Sequence, residues 1–288
     1  MSFLCGVFIF DLRRTDFLKI SNVRKMTECS IMIALSTVLS ILPIAEMPYG
    51  GSITLASMLP IVIAVYRHGG GWGFGTAMVA SALQILLGLK NFSYFTTWQS
   101  IVALCIFDYL LAFGAFALVG VFKKVEKRQN LAMLYGAALA SFLRYGCHVI
   151  SGATIWAGLS IPSTAALYYS LGYNATYMIP ETIVLLLSVA YICSVLDFTR
   201  PIPRRVPTMA LDKIEASSYI GAGLAVLLTV ILEVAEIFPH IQNAETGDFD
   251  IRGIAEANAT YLITVACVGV AVAAALVAVA LIRRKKKS

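Results

Sequence analysis

The strongest constraint on this chain is a recurrence of apolar windows long enough to cross a bilayer. They fall at roughly 27–45, 52–66, 72–89, 101–122, 131–158, 165–196, 217–238 and 260–282. A hydrocarbon core about 30 Å thick takes about 20 helical residues. In lipid every backbone group must be satisfied internally, so uninterrupted windows of this kind predict helices rather than open sheets. With 13% charged residues and a mean hydropathy of +0.82, the chain is too apolar for a water-soluble domain. The expected fold is therefore an all-α membrane protein. The second window is short and carries Pro60, and the sixth is overlong and broken by Pro180.

The net charge of +6 does not point to nucleic acid, because the basic residues sit at window ends. Lys19, Arg24 and Lys25 precede the first window and Arg67 follows the second. "KKVEKR" (123–128), "RPIPRR" (200–205) and "RRKKK" (283–287) follow the fourth, sixth and eighth. Every second connection is thus basic, whereas the one between windows seven and eight, "NAETGDFDIRGIAEAN", is acidic. By the positive-inside rule the expectation is a multi-pass plasma-membrane protein with an even number of spans and both termini cytoplasmic. Six cysteines lie far apart, mostly inside windows, with no CxxC and no metal-ligand spacing. They read as small buried thiols, and no cofactor or metal is expected. The opening "MSFLCGVFIF" lacks a basic n-region and is not read as a signal peptide.

Residues 200–216 are polar and hold Pro201, Pro203 and Pro207. They divide the chain into an N-terminal extension (1–22), a six-span substrate-binding body (23–199), a cytoplasmic linker (200–216) and a two-helix membrane extension with a basic tail (217–288). Glu233 and Glu236 lie near the predicted outer end of that pair, within reach of headgroups or water. "GGGWGFG" (69–75) follows a span rather than a strand and reads as a tight turn, not a phosphate loop. "DFD" (248–250) has too few ligands for a calcium loop. The Asn174-Ala-Thr176 and Asn258-Ala-Thr260 glycosylation patterns are too short to carry weight.

The unusual residues are polar ones inside the body. "CIFDYLLAFGAFALVG" would be an ordinary span but for Asp108. A mid-bilayer carboxylate costs roughly 2.5–3.5 kcal/mol on insertion scales, so Asp108 requires a partner. In "LRYGCHVISGATIWAGL" Arg144, His148, Gly152 and Trp156 recur every four residues. Each such helical step drifts only about 40°, so the four share a broad face with a gap at Gly152. "YYSLGYNATYMIPE" adds Tyr168, Tyr169, Tyr173, Asn174 and Tyr177. Singly, His148 reads as a satisfied core histidine and Trp156 as an interfacial tryptophan. Alternating spans bring Asp108, His148, Trp156, Tyr169 and Asn174 to similar depth on the outward side. An anion, an imidazole, an amide, phenols and an aromatic face suit a small, flat, cationic or nitrogen-rich ligand.

At these residues the chain resembles the thiamine-specific S component, the substrate-binding subunit of energy-coupling-factor (ECF) vitamin transporters. The resemblance covers about residues 23–198. It rests on "MTECSIMIALS", "YGGSITLASMLPI", "FDYLLAF", "RYGCHVISGATIW" and "YYSLGYN" taken together. It implies a six-helix S-component bundle, here followed by two additional C-terminal transmembrane helices. It also implies that thiamine is captured at the outer face and that a transmembrane coupling subunit and two ATPase subunits drive uptake. Carried over by position, the substrate-binding residues are Asp108, Tyr109, Arg144, His148, Trp156, Tyr169 and Asn174. The family often has Glu at the place of Asp108; the shorter side chain draws the ligand closer or admits a water. Where some members carry a tryptophan in the first outer loop, this chain reads Gly50-Gly51, and Trp98 is a candidate second aromatic wall. Ser30-x-x-x-Ala34 fits small-residue packing, either as a partner-docking surface or within the bundle. Asp108 could meet the thiazolium charge or the pyrimidine edge. Other readings are an S component for hydroxymethylpyrimidine or riboflavin, and an intramembrane enzyme using Asp108 and His148. The chain lacks paired aspartates, HExxH and a Walker-type GxxxxGK[ST] sequence, so it is read as a non-enzymatic subunit that relies on a partner for ATP.

Overall fold

The computed structural model describes residues 21–47, 50–157, 166–206, 213–241 and 251–285. Most of the N-terminal extension, "DFD" and residues 207–212 of the linker lie outside the described residues. Eight helices form in the described residues. They are α1 (Asn22–Ile41), α2 (Leu59–His68), α3 (Gly70–Leu87), α4 (Trp98–Lys124), α5 (Gln129–Thr154), α6 (Ala166–Val195), α7 (Lys213–Ile241) and α8 (Ala259–Lys285). Four of them, α4 and α6 to α8, contain stretches long and apolar enough to cross a membrane by themselves. The chain is an all-α membrane protein in architecture, with two small strand pairs. These are β1 (Pro43–Glu46) with β2 (Ser52–Thr54), and β3 (Leu196–Asp197) with β4 (Arg204–Arg205).

The first window forms a 20-residue helix that begins and ends earlier than expected, and the second does not form a full-length helix. α1 stops at Ile41, and Pro43 starts an antiparallel hairpin in which Ala45 faces Ile53 and Glu46 faces Ser52. Helix α2 has 10 residues, about 15 Å at the standard rise and half of a hydrocarbon core. Pro60 falls at its first turn, where a missing N–H costs nothing. All of Pro60 to Tyr66 is buried, as expected for a helix apolar on every side. Non-helical backbone at membrane depth survives only inside protein or beside a cavity. The hairpin meets that condition: Ile53 and Thr54 are buried, Met47 N–H donates to Gly51 O at 2.7 Å, and the strands wall a cavity.

The turn at the other end of α2 is a single residue. Gly69 has φ +56°, a left-handed value that favours glycine, and α3 begins at Gly70. Helix α6 is not broken by Pro180, which sits fully buried within it. Packing from neighbouring helices lets a membrane helix tolerate the missing donor. At the basic end of the bundle Glu28 gathers Arg24 (2.9 Å), Arg67 (2.8 Å) and His68 (3.0 Å). Arg67 also donates to the carbonyls of Phe198, Arg200 and Pro201. This clamp joins α1, α2 and the chain after α6.

The terminal pair packs mainly on itself. Gly269 lies against the Thr229 side chain and Gly221 against Leu276, a close approach that small residues permit in membranes. α7 leans on α6 where Gly223 meets Leu187. Glu236 does reach a polar group: its Oε1 accepts the Asn258 N–H at 3.1 Å at the start of α8.

Candidate functional site

One cavity of ≈ 350 Å³ opens where α1, α3 and α5 end and α4 and α6 begin. Asp108, Tyr109, Arg144, His148, Gly152, Trp156, Tyr169 and Asn174 all line it. The spacing argument therefore brought together residues that the fold also brings together. Ser30 and Ala34 do not belong to it. Both are exposed on one face of α1 and are not covered by the described residues.

Asp108 is the centre of the arrangement. It sits in a π-helical stretch of α4, Cys105–Leu111, a geometry that recurs at functional sites. Its Oδ1 lies 3.1 Å from His148 Nδ1, and its Oδ2 accepts from Trp156 Nε1 at 3.1 Å. The carboxylate thus has two protein partners, His148 on α5 and Trp156 just past its end. This corrects the simplest expectation, that its partner is a ligand alone. His148 Nε2 is buried with no partner among the described residues, so the ring keeps one hydrogen-bonding atom free. Trp156 is held edge-on by Phe95, with ring centroids 4.8 Å apart and planes at 73°, and by Tyr94 at 5.7 Å. Trp98 is 70% exposed and does not line the cavity. The aromatic support comes from Tyr94 and Phe95 instead.

α5 and α6 touch closely beside this carboxylate. A Cβ on Gly152 would collide with the Ser170 side chain, so the gap expected at Gly152 is partly filled by α6. Ser170 Oγ donates to Val149 O at 2.8 Å. The Asn174 amide is used within the protein: Nδ2 donates to Ser170 O at 2.8 Å and His148 O at 3.3 Å, and Oδ1 accepts from Tyr177 at 2.6 Å. Asn174 holds the two helices in register and orients the His148 segment. Tyr169 stacks on Tyr173, with centroids 5.7 Å apart and planes 19° apart. The Tyr173 hydroxyl accepts from Gly51 N–H at 3.2 Å, which fixes the hairpin to α6. Gly51 has no room for a Cβ, which would meet the Tyr177 ring at 2.7 Å. Across the cavity, Tyr109 accepts from Asn91 Nδ2 at 3.3 Å and packs over Gly88.

Arg144 lines the cavity, but its charge is already matched. Nη1 lies 2.6 Å from Glu181 Oε2, and the guanidinium stands 4.8 Å over the Phe113 ring. The other Glu181 oxygen accepts from Thr54 Oγ1 at 2.8 Å, and Thr54 bonds Ser57 at 2.7 Å. A buried ion pair therefore ties α5 and α6 to the hairpin. Glu181 went unnoticed in the sequence although a carboxylate after Pro180 in mid-window is as anomalous as Asp108. Glu46 and Lys90, which also line the cavity, fall between the apolar windows, where a charge carries no sign of burial. With Arg144 neutralised by Glu181, Asp108 and Glu46 stand against Lys90. Leaving His148 aside, the cavity lining carries an excess of one negative charge. Among the described residues no cluster is suited to a metal ion.

The site can thus hold one small monocation against a carboxylate, a free imidazole nitrogen and aromatic faces. Comparison with known proteins agrees with that chemistry. The profile of the family described as "Thiamine transporter protein (Thia_YuaJ)" matches residues 26–199, more than half of the chain. The chain belongs to this family. A thiamine transporter, ThiT, from Bacillus subtilis (strain 168) is 32% identical over 171 residues, which is 56% of this chain and 85% of the relative. Every residue placed around the cavity lies within the family's extent. α7 and α8 lie beyond it.

Proposed function

We propose that the cavity binds thiamine and that the protein is the substrate-binding subunit of an ECF-type transporter. In this reading thiamine is captured at the outer membrane face. A transmembrane coupling subunit and two ATPase subunits then drive its uptake. The observation that carries the reading is the convergence of Asp108, His148 and Trp156 on one cavity, in a member of the thiamine transporter family.

The chemistry follows from the geometry. Thiamine brings a fixed thiazolium charge and an aminopyrimidine with donors and acceptors. An ionised carboxylate has about four lone-pair sites, and only two are engaged by His148 and Trp156. Asp108 retains capacity for the amino group or the cation. The Nε2 of His148 offers a further hydrogen bond, and the Trp156, Tyr109 and Tyr169 rings supply faces for stacking and cation–π attraction. Glu46 offers a second carboxylate near the hairpin. No bond is made or broken, so the Asp108–His148 pair acts in recognition rather than as an acid–base dyad.

The basic ends of alternate helices, Arg67, Lys123 to Arg128 and Arg200 to Arg205, support cytoplasmic termini and an outward cavity. The exposed Ser30 and Ala34 on α1 suit close helix packing by the coupling subunit. The test is a titration of purified protein with thiamine, hydroxymethylpyrimidine and riboflavin, read by tryptophan fluorescence in the parent and in Trp156→Phe. Thiamine is expected to bind most tightly, with quenching that depends on Trp156 despite the presence of Trp72 and Trp98. Tighter binding of riboflavin, or quenching that persists in Trp156→Phe, overturns the assignment.

A further inference from the structure

We propose that a second cavity, at the other end of the α5–α6 pair, binds the phosphate of an anionic phospholipid headgroup. This cavity measures ≈ 450 Å³ and lies among the first turn of α5, the last turns of α6 and the β3–β4 hairpin. From Gln129 to His148 is 19 residues of helix, about 28 Å of rise, so it sits a membrane thickness away from the thiamine site.

Three arginines, Arg200, Arg204 and Arg205, line it with a single carboxylate, Asp197. Gln129 fixes the hairpin to α5: its Nε2 donates to Leu196 O at 2.7 Å and its Oε1 accepts from Phe198 N–H at 2.6 Å. Asp197 is taken up by Thr199 and by Arg200, whose Nε lies 2.9 Å away. Arg204 and Arg205 pair with β3 through their backbone, but their side chains are exposed and have no hydrogen bond or ion pair with any described residue. Two unmatched guanidiniums at a cavity mouth suit the bidentate recognition of a phosphate.

A lipid is favoured over a free phosphate by the apolar groups beside these charges. Ile202 is 58% exposed between Pro201 and Pro203, and Tyr191, on the last turns of α6, is 51% exposed. Basic side chains next to exposed apolar ones at a helix end match the interfacial region of a bilayer, where headgroups and acyl chains meet. Arg204 and Arg205 lie past residue 199, where the family match ends. The arginines of the site, unlike its α5 and α6 walls, therefore belong to the part of this chain that leads into α7. The leaflet follows from the cytoplasmic orientation above, but binding can be measured in detergent, where orientation does not enter.

The experiment uses the full chain in neutral detergent. The probes are phosphatidylglycerol, phosphatidylcholine and inorganic phosphate, with lipid retention read by native mass spectrometry. The variants are R204Q/R205Q, I202S and, as a charge-matched control, K124Q/K127Q; thiamine binding reports that each is folded. The parent is expected to retain phosphatidylglycerol over phosphatidylcholine. R204Q/R205Q should lower that preference about thirtyfold, from roughly fivefold per basic side chain at a membrane surface. K124Q/K127Q should change it little, and I202S should weaken phosphatidylglycerol. An undiminished preference in R204Q/R205Q overturns the site. Displacement of the lipid by millimolar inorganic phosphate, with no effect of I202S, would assign it to a soluble phosphate instead. Failure of thiamine to bind the parent counts against the thiamine reading; folding of the variants is then read from helical circular dichroism, and the lipid comparison stands.

Discussion

Asp108→Asn separates charge from shape at the proposed thiamine site. The side chain of Asp108 is 12% exposed, so its charge works in a largely desolvated setting. Asparagine can keep most of the local geometry: its carbonyl oxygen can accept from Trp156 Nε1, and its amide can donate to a His148 Nδ1 that carries no proton. Hydrogen bonds to a charged acceptor contribute about 1.5–3 kcal/mol and neutral ones about 0.5–1.5. The two internal bonds therefore weaken by roughly 1 kcal/mol each. Relief of the buried charge's desolvation offsets part of this loss. The empty variant should thus unfold within about 2 kcal/mol of the parent. The loss for the ligand should be larger. Removing one member of a desolvated charge pair typically costs about 2–5 kcal/mol, or roughly 30-fold to several thousand-fold in affinity. Parent and variant are each titrated with thiamine and with a neutral analogue that keeps the outline but lacks the thiazolium charge. Charge pairing predicts a large loss for thiamine and a small one for the analogue. Equal losses would mean that Asp108 reads the pyrimidine edge or only positions His148 and Trp156, and the charge argument would fail.

Arg144→Met and Glu181→Met should each destabilise the protein by about 3–5 kcal/mol, because each strands a buried charge. The double variant should recover most of that stability in denaturation curves; additive losses would refute the pairing. Gly88→Ala should keep the fold and weaken thiamine about tenfold. Its Cβ would overlap the Tyr109 hydroxyl, and overpacking of this kind costs roughly 1–3 kcal/mol; unchanged titration curves would remove Tyr109 from the site. Reporter fusions after Lys127 and Arg205 should read cytoplasmic and one at Ile254 external; a cytoplasmic signal at Ile254 would break the eight-span topology.

What the sequence made legible follows from what lipid forbids. Windows 3 to 8 became helices near their expected positions, because an apolar chain in hydrocarbon has few other ways to satisfy its backbone. Residues 43–46 and 52–54 became paired strands instead, and hydropathy could not reveal it. A buried strand and a buried helix are equally apolar over so short a run. The local signs were Pro43 and the Gly50-Gly51 pair, of which Gly50 adopts φ +97°, a value that favours glycine in a turn. The π-helical stretch around Asp108 left no sign in the sequence, since it changes hydrogen bonding without changing composition.

The same reasoning explains which site residues stood out. Asp108, Arg144 and His148 are costly inside a membrane, and the four-residue spacing of Arg144, His148, Gly152 and Trp156 made a common face legible. Their mutual bonding was not, because it depends on side-chain direction across two helices. The cost argument was also left half used. A guanidinium in mid-membrane requires an anion as strictly as a carboxylate requires a cation, and Arg144 therefore called for Glu181. Had Arg144 been matched with Glu181, the polar set would have divided in two. One part, Arg144–Glu181–Thr54–Ser57, closes on itself and braces the hairpin against α5 and α6. The other, Asp108–His148–Trp156, leaves a ring nitrogen and carboxylate lone pairs open to the cavity. Only a set left incomplete in this way can gain from a ligand. The short α2 is what gives that set its room: a full-length helix would have occupied the space that the β1–β2 hairpin encloses.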